Sequence, residues 1–109
     1  MNWIPLQNEQ QLEELKIKSD SRTQVIFKHS VRCGVSGVVK SRLEKGKLPL
    51  DLDIHFLDII HHRTLSNKIA EEFKVYHESP QVLVIRNGEC VYDESHLGIN
   101  PKEIVAQAM

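Results

Sequence analysis

Val25-Ile26-Phe27-Lys28-His29-Ser30-Val31-Arg32-Cys33-Gly34-Val35-Ser36-Gly37-Val38-Val39-Lys40 is the stretch that decides the fold of this chain. It opens as a short run of branched and aromatic residues, Val25 to Phe27 extended by His29, which reads as a β-strand. A few polar residues lead to a single cysteine. Apolar residues then recur at helical spacing, at Val35, Val38, Val39 and Leu43. Strand, tight turn, cysteine and helix is an arrangement that activates a thiol. The first turn of a helix carries free N–H groups and a partial positive charge, and both favour thiolate over thiol. Arg32 adds a full charge next door, and the Ser36 hydroxyl three residues on can reach back to the sulfur. A lone cysteine beside an apolar run also fits a small buried hydrophobe. A buried cysteine, however, has no need of a preceding arginine and a polar turn.

Working outward, 109 residues suffice for one domain with one core, spanning 1–109. The net charge of −1, without a basic run, argues against nucleic acid as a partner. No apolar run reaches membrane-spanning length, and Met1-Asn2-Trp3-Ile4-Pro5 has neither a basic region nor an apolar stretch. The expectation is a cytoplasmic protein that is neither secreted nor inserted into a membrane. The two cysteines, Cys33 and Cys90, lie too far apart in sequence to suggest a zinc ribbon or a disulfide framework. A free thiol suits a reducing compartment.

Before the central stretch, Trp3-Ile4 and Leu6, interrupted by Pro5, suit a brief edge strand. Asn8 followed by Gln11 resembles a capping box, so a helix is expected over about 9–18. After it, the helix that follows Cys33 should run to about Lys45 and stop at Gly46. Leu50 to Ile60 is strand-like and mostly apolar, which fits an interior parallel strand joined by a βαβ crossover. Thr64 or Ser66 can cap a third helix, whose buried face is Leu65, Ile69 and Phe73 beside Ala70. Val82-Leu83-Val84-Ile85, an Asn87-Gly88 turn and Cys90-Val91-Tyr92 form an antiparallel hairpin. Asn100-Pro101-Lys102-Glu103 opens a last helix, with Ile104, Val105 and Ala108 on its buried face. The order β-α-β-α-β-α-β-β-α describes an α/β domain in which helices flank a mixed sheet.

This order, with a cysteine opening the second helix and Ser79-Pro80 just before the hairpin, resembles the thioredoxin fold. More closely, the chain is similar to the YtxJ-like family of general-stress, monothiol bacilliredoxin proteins. The matching segments are Trp3-Ile4-Pro5-Leu6, Phe27-Lys28-His29-Ser30, Cys33 with Ser36, His62-Arg63-Thr64-Leu65-Ser66-Asn67, His77-Glu78-Ser79-Pro80-Gln81 and Ser95-His96. They span nearly the whole chain in order, and His-Glu-Ser-Pro-Gln is the most specific. Two positions depart from pattern. Gly34 stands where the family has proline, which loosens the helix start. Phe27 stands where thioredoxins carry a buried acid that serves a resolving cysteine, consistent with the absence of a second cysteine from this motif.

A Cys-x-x-Ser centre cannot close its own disulfide; it can take an adduct onto Cys33 and await an external thiol. The resemblance implies bacillithiol as that adduct and co-substrate, with no tightly bound cofactor. Bacillithiolated or otherwise thiol-modified proteins would be the partners. Together with the residue reading it assigns Cys33, Arg32 and Ser36 to catalysis and Ser79 and Pro80 to substrate binding. The return of the hairpin adds His96 as a candidate for adduct contact or proton handling, with a plain loop histidine as the other reading. Pro80 would be cis and would face Cys33, and the Ser79 backbone would pair with extended substrate. Cys90 follows the hairpin turn, so it should lie at the far end of the sheet in a structural role, whereas Ser95 and His96 return to the Cys33 edge. Metal binding is disfavoured: His61 and His62 are adjacent and have no acid at helical spacing, and His29 and His55 fit packed strand positions. Lys28 reads as a solvated strand lysine, with guidance of an anionic adduct as the other reading. Two further functions stay open: a non-catalytic stress-response interaction module with this fold, and a thiol redox sensor.

Overall fold

The structure, a computed structural model, describes residues 1–49 and 51–108. Five strands, β1 (Trp3–Pro5), β2 (Gln24–His29), β3 (Asp53–Asp58), β4 (Gln81–Arg86) and β5 (Glu89–Ser95), form one sheet in the order β1-β3-β2-β4-β5. β3 pairs in parallel with β1 and β2, while β2–β4 and β4–β5 are antiparallel. Helices α1 (Glu9–Lys18), α2 (Gly34–Lys45), α3 (Arg63–Phe73) and α4 (Pro101–Ala108) cover the two faces. This is the mixed, helix-flanked sheet expected from the sequence. Leu50, where the expected third strand began, lies outside the described residues, and β3 itself starts at Asp53.

Side chains alternate across a strand, so β2 feeds two cores. Ile26 joins Leu12 and Leu15 of α1 and Leu65, Ile69 and Phe73 of α3. Val25 and Phe27 join Val39 and Leu43 of α2 and Ile104 of α4. Every residue of β2 is buried, as a central strand covered on both faces requires. Truncating any one of these core leucines to alanine removes about 2–5 kcal/mol of stability.

The caps hold as the sequence implies, with one exception. Asn8 Oδ1 accepts from the Gln11 amide at 2.9 Å, and Asn100 Oδ1 from the Lys102 amide at 2.8 Å. α3 instead begins at Arg63 behind His62, with no side-chain cap. Thr64 and Ser66 therefore lie inside that helix, and the buried Ser66 hydroxyl turns to His77. At the hairpin, Asn87 (φ 53°) and Gly88 (φ 74°) both take the left-handed conformation that a two-residue turn demands. Ser19 fastens this turn, its carbonyl accepting from the Asn87 amide and its hydroxyl from the Gly88 amide.

Candidate functional site

Cys33 is the N-cap residue of α2, with an extended backbone (φ −108°, ψ 115°). Its amide donates to the Ser30 carbonyl at 3.1 Å, closing the turn from β2 into the helix, and the Arg32 amide donates to Ser30 Oγ at 3.3 Å. The thiol is partly exposed. Its sulfur makes no geometric cap hydrogen bond, yet donors surround it and hold its pKa below the usual thiol range. The Ser36 amide contributes most; desolvation opposes it, and the Val35 amide and then the Ser36 hydroxyl add smaller lowering effects. Arg32, next to Cys33 in sequence, is exposed and does not figure among these causes, contrary to the expectation that its charge would depress the thiol pKa.

Ser36 is fully buried and ties three segments together. Its Oγ accepts from the Ser30 amide at 3.3 Å and lies 3.4 Å from Ser79 Oγ. The start of α2 is thereby joined to the Ser79–Pro80 peptide, which is cis. From the other side, the His96 amide donates to the Pro80 carbonyl at 2.9 Å, and His96 Nε2 lies 3.2 Å from Glu78 Oε2. Ser79, Pro80 and His96 thus stand together on the edge of the sheet where β2 delivers Cys33. Gln81 at the start of β4 pairs with Lys28 near the end of β2 and with Ser95 at the end of β5.

Cys90 sits at the opposite end, paired with Ile85 near the hairpin turn. A bulge at Val84/Ile85 directs Cys90 and Tyr92, two residues apart, to opposite faces: Cys90 packs on the α1–α3 core and Tyr92 on the α2–α4 core. Burial raises the Cys90 pKa, and its thiol donates to the Tyr92 carbonyl at 3.3 Å.

Lys28 is not solvated. It is fully buried on the α1–α3 side of β2, and its Nζ donates to the Ser66 carbonyl at 3.1 Å and to His77 Nδ1 at 3.4 Å. Desolvation, helped by the nearby Arg63 charge, pushes its pKa down to about 8. Burial lowers the His77 pKa, and because the Lys28 ammonium can only donate, His77 Nδ1 is its acceptor; the Ser66 Oγ lies 3.1 Å from the same nitrogen. This buried polar group lies behind the His77-to-Gln81 run and was missed from sequence. The available signal was that a central strand buries both of its faces, so a lysine within it needs partners.

The remaining histidines are largely structural. His29, half enclosed by Phe27 and Phe56, and His55, whose Nε2 is 2.7 Å from Gln24 Oε1, are both buried. Burial pushes His55 down to about 4. His61 does have an acid at helical spacing, contrary to the sequence expectation, since its Nδ1 lies 2.7 Å from Asp58 Oδ2. Asp58 spends that carboxylate on capping the turn, also accepting from the Ile60 amide. Among the described residues, no three His, Cys, Asp or Glu side chains gather as a metal site. No helix among them is long and apolar enough to cross a membrane.

Comparison with solved structures agrees with this geometry. A structure described as a candidate oxidoreductase with a thioredoxin fold superposes with a TM-score of 0.83 at 32% identity, covering 96% of this chain and 91% of that one. Thioredoxin from Fasciola hepatica gives a TM-score of 0.78 at 17% identity, over 97% and 99% of the two chains. Thioredoxin from Malassezia sympodialis gives 0.77 at 12%, over 98% and 90%. At those lower identities the likeness is one of fold. In sequence, residues 4–104 match the model of the monothiol bacilliredoxin BrxC. With a thioredoxin fold, one cysteine at the head of α2 and serine three residues on, the chain belongs to the monothiol bacilliredoxin family.

Proposed function

We propose that the protein removes bacillithiol from S-bacillithiolated proteins through a mixed disulfide on Cys33. Family membership supports thiol-redox chemistry in general. The observation that carries the finer reading is the partly exposed Cys33 thiol, held below its ordinary pKa by the amides of Ser36 and Val35. The thiolate attacks the bacillithiol sulfur of the substrate disulfide. The Cys33–bacillithiol S–S bond forms as the substrate S–S bond breaks, and the protein sulfur leaves as thiolate and takes a proton from solvent. A second thiolate then attacks the bacillithiol sulfur, which releases Cys33 as thiolate and leaves a small disulfide. Both steps are exchanges, so no outside oxidant is needed. Ser36 cannot resolve the adduct as a cysteine would, so release depends on that second thiol.

Ser36 favours the thiolate, and Arg32 offers charge to an anionic adduct. Ser79, whose Oγ lies 3.4 Å from Ser36 Oγ, and the cis Pro80 would align extended substrate, while His96, joined to Pro80, would contact the adduct. Both cysteines are free thiols, which suits a cytoplasmic setting.

The test is intact mass before and after mixing reduced protein with a bacillithiol-capped test protein, beside Cys33→Ser. The expected result is a gain of one bacillithiol on the wild type, its loss from the test protein, and no change on the variant. No transfer together with slow alkylation of Cys33 at neutral pH would leave a non-catalytic interaction module. Adduct formation without release by a second thiol would make the protein a sensor.

A further inference from the structure

A groove of about 1020 Å³ begins at Gly34, next to Cys33, and runs between α2 and the start of α4. The exchange steps above do not use it. Its Cys33 end is bare: a Cβ at Gly34 or Gly37 would have nothing within 4 Å, and Val38 is 55% exposed. Its far end is cationic, lined by Arg42, Lys45 and Lys102 and by no carboxylate. The nearby acids are engaged elsewhere, Glu44 with Trp3 Nε1 and Lys40, and Glu103 with Gln107. Neither Lys45 nor Lys102 has an ion-pair partner among the described residues. Arg42 is held in place, its Nη1 donating to the Leu97 and Ile99 carbonyls at 2.9 and 3.0 Å. The two helices meet at the closed end, where a Cβ on Gly46 would stand 2.5 Å from Pro101 Cγ.

We propose that this groove docks an acidic stretch of the thiol-modified protein substrate, flanking its reacting cysteine. Length and charge together select this occupant. From Gly34 to Lys45 the helix rises roughly 16 Å, the span of about five extended residues and well beyond a small adduct hanging from Cys33. Three cations in a groove lined by no carboxylate attract an anionic chain, while the bare, uncharged end lets its backbone approach the sulfur. The segment on one side of the substrate cysteine would pass Ser79, and the other would descend the groove. The inference rests on the reading of Cys33 as an exchange thiol.

The test uses synthetic peptides whose cysteine is capped by 2-mercaptoethanol and whose flanking segment is acidic, amide-neutral or lysine-rich. Bis(2-hydroxyethyl) disulfide reads the thiol chemistry alone. At low ionic strength the acidic peptide should transfer its cap to Cys33 about tenfold faster than the neutral one, and the advantage should fade as salt is added. Lys45→Glu with Lys102→Glu should reverse the preference towards the lysine-rich peptide and leave the rate with the small disulfide unchanged. Equal rates for the three peptides on the wild type would overturn the docking proposal. So would a charge effect equally large on a small anionic disulfide, which would assign the groove to the adduct, or self-association lost in the double variant, which would assign it to a second copy. If the small disulfide itself fails to react, the exchange reading falls, and docking is then read on Cys33→Ser by NMR shifts of the Gly34, Gly37 and Lys45 amides. Shifts with the acidic peptide alone would sustain it, and their absence would overturn it.

Discussion

The two ends of the sheet each hold one cysteine near buried titratable side chains, and they handle them in opposite ways. At the Cys33 end, helix amides face a partly exposed sulfur and pull its pKa down. At the Cys90 end, burial against the α1–α3 core pushes the thiol up. The same element in two settings gives one thiol shifted towards thiolate and one shifted towards the protonated form, because thiolate is favoured by nearby donors and penalised by burial. The buried bases differ too. Lys28, behind the Cys33 end, keeps a charge-bearing amine on Ser66 and His77, whereas His55, at the Gln24 end, is held neutral on Gln24.

The sharpest way to break the contrast is to exchange serine for each cysteine. Cys33→Ser should abolish transfer from a capped protein, and Cys90→Ser should leave it unchanged, both followed by intact mass. Cys33–bacillithiol adduct building up on Cys90→Ser, where the wild type releases it without an added thiol, would make Cys90 a resolving thiol and undo the comparison.

The next largest effects are pH windows of stability, one for each end. His55 has a folded pKa of about 4 against 6.5 for the free side chain, so between these values the unfolded chain binds more protons. Stability should therefore fall by on the order of 3 kcal/mol as pH drops from 6.5 to 4. Urea titrations across that range should show a shallower fall for His55→Gln. Lys28 has a folded pKa of about 8 against 10.5, and again the unfolded chain binds more protons within the window. Its contribution should rise by on the order of 3 kcal/mol as pH climbs from 8 to 10.5. Subtracting the profile of Lys28→Met, which has a similar volume and no charge, isolates that rise; identical slopes would mean that Lys28 is solvated after all.

A smaller effect sharpens the thiol contrast. Ser36→Ala removes the hydroxyl donor and leaves both amides, so the pH midpoint of Cys33 alkylation should move up and the rate at neutral pH should fall several-fold. Cys90 in the same protein should stay slow. An unchanged midpoint would assign the whole effect to the helix amides.

Element order, the Asn8 and Asn100 caps, the Asn87-Gly88 turn and the position of Cys33 at a helix start were legible in the sequence. Each depends on residues a few positions apart, whose hydrogen bonds are local and whose apolar spacing reports the period of the element. The burial of Lys28 was not legible. It follows from β2 lying between β3 and β4, partners about 30 and 60 residues away whose pairing no local pattern encodes. Ser66 illustrates the same limit: its place before an apolar run suggested a cap, and the packing of α3 over β2 made it a buried partner of His77. The bulge that separates Cys90 from Tyr92, and the cationic groove between α2 and α4, likewise exist only once distant segments meet. The sequence by itself determined where a thiol would be activated; the tertiary structure decided what surrounds it, because those neighbours are set by long-range packing.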